Sequence, residues 1–273
     1  MNEQYDAQSG ERQAVQDRAH HGYSRRKVLR LGAMTGVAAA LAGVAPSTVL
    51  GAETASEGRP LEILFVLYQK FTLQDFAGAN EVFARLSDVT VRVASPDGGT
   101  ITSDTRISLA DTAKLSEVQN CDLLCVPGGT DRSSMLRPAV QGELRRLAAS
   151  AKYVTSICNG SLILGAAGLL NGRRSACHWA QRNLLKQYGA IPDSSRVVKD
   201  GRYMSGGGVT AGIDFALTVA AELRGPVEAQ VIQLLTEYEP NPPFSSGSPG
   251  TAPPEIIAAF RSRFPGLAAT AGL

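Results

Sequence analysis

The run LEILFVLY, residues 61–68, is almost continuously apolar and is bounded by Pro60 and polar residues. A run of that length with no polar alternation predicts a central parallel strand buried on both faces. From Asp75 to about Leu86 the apolar residues Phe76, Ala79, Val82, Phe83 and Leu86 recur at helical spacing, which predicts an amphipathic helix. Val89 to Ala94 alternates as a second strand, and Ile101 to Leu109 reads as a short edge hairpin. Asp122 to Val126 is a further buried strand that ends at Pro127-Gly128-Gly129, and Arg137 to Ser150 is an amphipathic helix. Tyr153 to Ile157 is β-branched and apolar, and Ser161 to Ala167 begins a helix of small apolar residues.

Beyond that helix the pattern is weaker. Ser175 to His178 reads as extended and Trp179 to Tyr188 as helical. Arg196 to Val198 and Arg202 to Ser205 form a hairpin around Asp200-Gly201, and Gly206-Gly207-Gly208 reads as a flexible loop. Thr210 caps a helix to about Leu223, with Asp214 in its first turn. Helices follow over Glu228 to Glu237 and from about Glu255 to Phe264, separated by a Pro/Gly/Ser-dense loop. Strands alternating with helices imply one α/β domain: a mostly parallel central sheet covered on both faces. No internal repeat is present. In such a sheet functional groups collect at the carboxyl ends of the strands.

The first fifty residues follow a different pattern. Ser24-Arg25-Arg26-Lys27 is a twin-arginine pattern followed by a short Ala/Gly-rich apolar run to Ala45, with small residues near Ala52. The run is too short and weak for a membrane span. Residues 1–52 are therefore expected to be a Tat-type export signal with a polar N-terminal extension, and 53–273 the single α/β domain, placed in the periplasm or outside the cell. The leader carries six Lys/Arg and four Asp/Glu of the chain's 27 and 25, leaving 21 of each. A neutral mature domain gives no electrostatic case for nucleic acid or for stable membrane association.

The chemistry centres on Cys158. A strand that turns sharply into a helix around one nucleophile-type residue is a nucleophile elbow. The turn lifts the sulfur above the sheet edge and places it at a helix N-terminus, where the dipole favours thiolate. The competing reading is a buried cysteine packed as a small hydrophobe. A thiolate attacking carbon also needs a proton donor and a place for developing negative charge. Backbone N–H groups of Gly129 and Asn159 are candidates for the anion site, and Gly128 lets the chain approach closely. Asp75 is the candidate acid; a carboxyl group facing a thiolate in a desolvated site has a raised pKa. Its competing role is an ordinary helix N-cap. Cys177 and His178 lie next to the site, and a structural role for His178 beside Trp179 is equally open. Four cysteines, Cys121, Cys125, Cys158 and Cys177, fit no zinc spacing. His178 is the one histidine beyond the leader, which leaves no multi-histidine metal site. Cys121 and Cys125, roughly 13 Å apart on one strand, cannot bridge each other.

These stretches resemble the ThiJ/PfpI superfamily, the class I glutamine amidotransferase-like fold, and within it the isonitrile hydratases. The resemblance rests on LQDFAGANEVF (73–83), VPGG (126–129), TSICNGSLILGAAGLLNGRR (155–174), GGGVTAGIDFAL (206–217) and EYEPNPPFSSGSPGTAPPE (237–255). It implies a flavodoxin-like three-layer sandwich, Cys158 as nucleophile, Asp75 as essential acid, a small-molecule substrate, no cofactor and a homodimer. It implies an isonitrile hydrated to an N-substituted formamide through a Cys158 adduct. Two positions depart from the pattern: Asn159 stands where that family has Thr, and Ser175-Ala176-Cys177-His178-Trp179 where it has Thr-Thr-His-Trp. The protease branch carries His directly after the cysteine, and Asn159 cannot act as that base. A glyoxalase-type reaction using Asp75 as base stays open. Two other classes compete. One is a thiol redox-sensing or protective protein, which selective peroxide oxidation without turnover would reveal. The other is a non-catalytic ligand-sensing domain, of the type fused to DNA-binding helices, for which the residues after Phe264 leave little room.

Overall fold

The structure is a computed structural model and describes residues 59–273. The expected leader, 1–52, lies outside the described residues. An eight-stranded sheet runs through the domain in the order β3-β4-β2-β1-β5-β6-β10-β9. The central strands β1 (Leu61–Val66), β2 (Val89–Ser95), β5 (Leu123–Val126), β6 (Tyr153–Ile157) and β10 (Tyr203–Gly206) pair in parallel. Two antiparallel additions close the edges. The hairpin β3 (Gly99–Thr102) and β4 (Ser108–Lys114) lies on one side, and β9 (Val197–Asp200) pairs with β10 on the other.

The apolar run of β1 is explained by the layering. Ile63 and Phe65 join the core beneath α1 (Leu73–Phe83), α4 (Ala211–Arg224) and α5 (Pro226–Leu235). Leu64 and Val66 join the opposite core beneath α2 (Pro138–Ser150) and α3 (Gly160–Ala166). A strand buried on both faces has no solvent side to mark with polar residues, so its pattern is continuous rather than alternating. The result is the three-layer, flavodoxin-like α/β sandwich that the sequence predicts.

The differences fall after the elbow helix. β7 (Arg174–Ser175) pairs with β8 (Ile191–Pro192) in a small separate sheet, and the extended piece stops short of His178. Arg182–Tyr188 forms 3-10 turns instead of an α-helix, ended by Gly189 at φ 70°. Cys121 lies just before β5 rather than within it. The loop at Gly206-Gly207-Gly208, expected to be flexible, is tied to the elbow. The carbonyls of Gly206 and Gly207 accept the Cys158 N–H at 3.1 and 2.8 Å. Two helices, α6 (Pro254–Arg263) and α7 (Pro265–Ala271), end the chain. Among the described residues, no helix is long and apolar enough to cross a membrane.

Candidate active site

Cys158 follows β6 directly and sits at φ +58°. That left-handed conformation costs a non-glycine residue about 1–2 kcal/mol, and the double acceptance of its N–H by Gly206 and Gly207 holds it there. Gly160 then starts α3 hard against the end of β5. A Cβ on Gly160 would lie 2.0 Å from the Val126 carbonyl oxygen, so only glycine permits the approach.

Three predicted residues converge on Gly128. A Cβ there would stand 2.8 Å from Asp75 Oδ2, 2.6 Å from Asn159 Oδ1 and 2.9 Å from Cys158 Cβ. The missing side chain is what lets Cys158, Asp75 and Asn159 come together. Asp75 comes from the first turn of α1 and is fully buried. It does not cap the helix: Thr72 holds the N-cap position, and Asp75 Oδ2 accepts the Gly128 N–H at 2.8 Å. Its Oδ1 is buried without a hydrogen-bond partner. Burial pushes the Asp75 carboxyl from 3.8 up to about 7, against the lowering effects of the Gly128 N–H and the Cys158 thiol, while Asp104 adds to the rise. The thiol is close enough to interact with this carboxyl, yet no formed hydrogen bond joins the two, which leaves Oδ1 open.

The ionisation of Cys158 differs from the expectation. Burial pushes its thiol well above the ordinary value, and the charges of Asp75 and Cys177 add to that; the Asn159 N–H pulls the other way. A seven-residue helix does not offset the loss of water around a 5% exposed residue. Burial therefore favours the protonated thiol of Cys158 over the thiolate.

The Gly129 N–H, a candidate anion donor, is occupied. It donates to Asn159 Oδ1 at 2.9 Å, and Asn159 Nδ2 returns a bond to the Gly129 carbonyl at 3.0 Å. Asn159 Nδ2 also donates to Gln181 Oε1 at 2.7 Å, and Arg132 Nη1 reaches the same oxygen at 3.4 Å. The backbone N–H of Asn159 stays directed at the Cys158 sulfur. Cys177 is buried and close enough for its charge to raise the Cys158 thiol, and all four cysteines are free thiols. His178 is half-buried, its Nδ1 accepts the Ala180 N–H at 3.3 Å, and burial lowers its pKa. It stacks on Trp179, whose ring meets Phe260 of α6 at 5.2 Å. Among the described residues, no group of three or more His, Cys, Asp or Glu could hold a metal ion.

Three site residues escape a reading of the sequence. Tyr68 is fully buried just beyond β1, donates to the Pro127 carbonyl at 3.3 Å, and feels the charges of Cys158 and Asp75. Its ring passes over Gly129, where a Cβ would come within 2.9 Å of Cε2. As the last residue of LEILFVLY it carries the one usable signal, a hydroxyl at the carboxyl end of the first strand. Gln181 and Arg132 lie in loops whose sequence carries no such mark.

Comparison with known proteins identifies the family and several relatives. The DJ-1/PfpI family model matches residues 61–222. Isonitrile hydratase of Pseudomonas putida is 46% identical over 204 residues, 74% of this chain and 90% of that one. A crystal structure of a ThiJ/PfpI family protein from Pseudomonas syringae superposes with a TM-score of 0.71 at 35% identity, covering 84% of this chain and 98% of that one. An HTH-type transcriptional regulator of Pseudomonas aeruginosa is 30% identical over 169 residues, 59% of this chain but half of the regulator. The family model spans well over half of the sequence, and the chain belongs to the DJ-1/PfpI family.

Proposed function

We propose that this protein is a cysteine-dependent hydratase of the isonitrile hydratase type. The observation that carries the reading is Asp75: a buried carboxyl group with one oxygen unpartnered, next to a buried thiol and with a pKa of about 7. Such a group exchanges a proton at neutral pH, which is what addition to an isonitrile requires. The Cys158 sulfur bonds to the terminal isonitrile carbon, and that carbon takes a proton from Asp75. The thiol's own proton replaces it on the carboxylate, so the net addition is of S–H across carbon, giving a thioimidate. Water then adds to the same carbon, the C–S bond breaks, and the N-substituted formamide leaves with the thiol restored. The likeness to the Pseudomonas putida hydratase supports this substrate class. The test is to incubate the purified protein with small isonitriles and identify products by mass; no formamide from any of them refutes the reading.

The redox-sensing alternative fits the site less well. A sensor thiol is exposed and of low pKa, whereas Cys158 and Cys177 are both buried and burial pushes both upward. We further propose export by the twin-arginine route, checked by loss of periplasmic activity when Arg25 and Arg26 become Lys. A homodimer is part of the same proposal, supported by the exposed apolar residues Val227, Val231, Leu234 and Leu235 on α5; light scattering of the purified protein decides it.

A further inference from the structure

The backbone N–H groups of the loop facing Cys158 already have acceptors inside the protein. Pro127 has no N–H to give. Gly128 donates to Asp75 Oδ2 at 2.8 Å, Gly129 to Asn159 Oδ1 at 2.9 Å and Thr130 to the Lys70 carbonyl at 3.0 Å. Cys158 itself donates to the Gly206 and Gly207 carbonyls. Of these acceptors only Asp75 and Asn159 are side chains, and an amide, unlike a carboxyl, is no acid–base partner for the thiol. Asn159 is 8% exposed. Its oxygen stands beside the nucleophile: a Gly128 Cβ would lie 2.6 Å from Asn159 Oδ1 and 2.9 Å from Cys158 Cβ.

The Asn159 amide has one workable orientation. Its nitrogen donates to the Gly129 carbonyl at 3.0 Å and to Gln181 Oε1 at 2.7 Å, which uses both of its protons. Turned over, the amide would set its oxygen against those two acceptors and its nitrogen against the Gly129 N–H. Gln181 is itself held, by its own N–H on the His178 carbonyl at 2.9 Å and by Arg132 Nη1 on Oε1 at 3.4 Å. The amide oxygen is therefore fixed where a substrate oxyanion would have to sit to reach the Gly129 N–H. Attack on an ester, amide or α-oxoaldehyde carbonyl builds charge on oxygen and needs donors already aimed there. Attack on the terminal carbon of an isonitrile builds it on carbon, where Asp75 delivers a proton. We propose that Asn159 determines specificity by filling the anion site with its own carboxamide, so that the site refuses carbonyl substrates. Which reaction remains rests on the hydratase reading; which reactions are refused does not.

The test compares two reactions of Cys158. In acylation by p-nitrophenyl acetate the sulfur bonds to the acyl carbon, the ester C–O bond breaks, and the thiol proton leaves as part of p-nitrophenol; charge passes through the carbonyl oxygen. In alkylation by iodoacetamide the sulfur displaces iodide, the thiol proton goes to solvent, and no oxyanion forms. Acylation is read as p-nitrophenol released above the Cys158→Ala background, alkylation by peptide mass mapping. Asn159→Ala frees the Gly129 N–H, and the acylation-to-alkylation ratio is expected to rise about tenfold or more, since one oxyanion donor is worth about 10²–10³ in rate. Gln181→Ala keeps Asn159 but removes the acceptor that fixes it, and the ratio rises by a smaller factor. A side chain that only limits access to the thiol would raise both rates together. An unchanged ratio in the two variants overturns the proposal; if Asn159→Ala does not fold, the Gln181→Ala ratio decides in the same way. A raised ratio in a protein that hydrates no isonitrile keeps the role of Asn159 and removes the hydratase reading.

Discussion

An aspartate meets strand β5 at each end, Asp122 beside its start and Asp75 of α1 beyond its finish, and the two are treated in opposite ways. Asp122, just before the strand, receives both Arg59 nitrogens at 2.8 and 3.0 Å and the Glu62 N–H at 2.7 Å. Its partial burial pushes the carboxyl up, but the Arg59 hydrogen bond and the Glu62 N–H outweigh this and leave it below the ordinary value. Asp75 meets the other end at Gly128 with one hydrogen bond, one open oxygen and a pKa of about 7. The amino end of the sheet satisfies its charge and gains stability. The carboxyl end withholds partners from its charge and so keeps a movable proton.

The sharpest test of that contrast is the nucleophile itself. Cys158→Ala should abolish turnover while the fold, by circular dichroism and melting, survives; substantial residual activity would remove the mechanism. Gly128→Ala comes next. Its Cβ cannot share space with Asp75, Asn159 and Cys158 at 2.6–2.9 Å, so turnover should fall by about 10²-fold or more together with the melting temperature. Asp75→Asn keeps size but not acidity. It should lose about 10²-fold in turnover yet melt no lower than the parent, because it removes an ill-partnered buried carboxyl. Asp122→Asn should show the reverse, a lower melting temperature with turnover unchanged. If both variants behave alike, the two ends are not distinct.

Acidity distinguishes the same pair. Asp75 has a raised folded-state pKa, so its contribution to stability is complete below 3.8 and is lost as pH rises to about 7. Three pKa units correspond to about 4 kcal/mol. Asp122, lowered in the folded state, contributes above its unfolded pKa and loses that contribution as pH falls through the folded one. Denaturant titrations between pH 4 and 8 should therefore show a decline that flattens in Asp75→Asn and persists in Asp122→Asn. Turnover should drop above pH 7 as the acid loses its proton. The smallest effect belongs to a glycine remote from the site: a Cβ on Gly142, in α2, meets nothing within 4 Å, so Gly142→Ala should stabilise by about 0.5–1 kcal/mol without touching rate.

Much of this is legible in the chain. LEILFVLY is apolar on both faces because both faces are covered, and the strand–Cys–Asn–Gly–helix run announces its turn. Asp75 is readable as a carboxyl at the carboxyl edge of the sheet. What stays hidden depends on pairs. The sequence marks Asn159 as a backbone donor, but its side chain reaches Gly129, 30 residues away in sequence. The protonation of Cys158 follows from burial by the whole domain, not from the helix dipole that the local sequence displays. Arg132 stands in an irregular segment, where no periodicity says which way a side chain faces, and Gln181 falls just before the 3-10 turns although the sequence predicts a helix there. The 3-10 turns at Arg182–Tyr188 resemble an α-helix in sequence because their composition suits either.

The two-way bond between the Asn159 amide and Gly129 imitates one rung of a β-ladder, placed where the backbones of β5 and β6 have already diverged. It therefore extends the zipper between these strands past their ends, using a side chain as a substitute peptide. A rung of this kind closes only after the strands beneath it have paired, so the active site should be among the last parts to assemble and the first to fray. Loss of activity at low denaturant, ahead of the loss of sheet signal, is the behaviour that such an order of assembly entails.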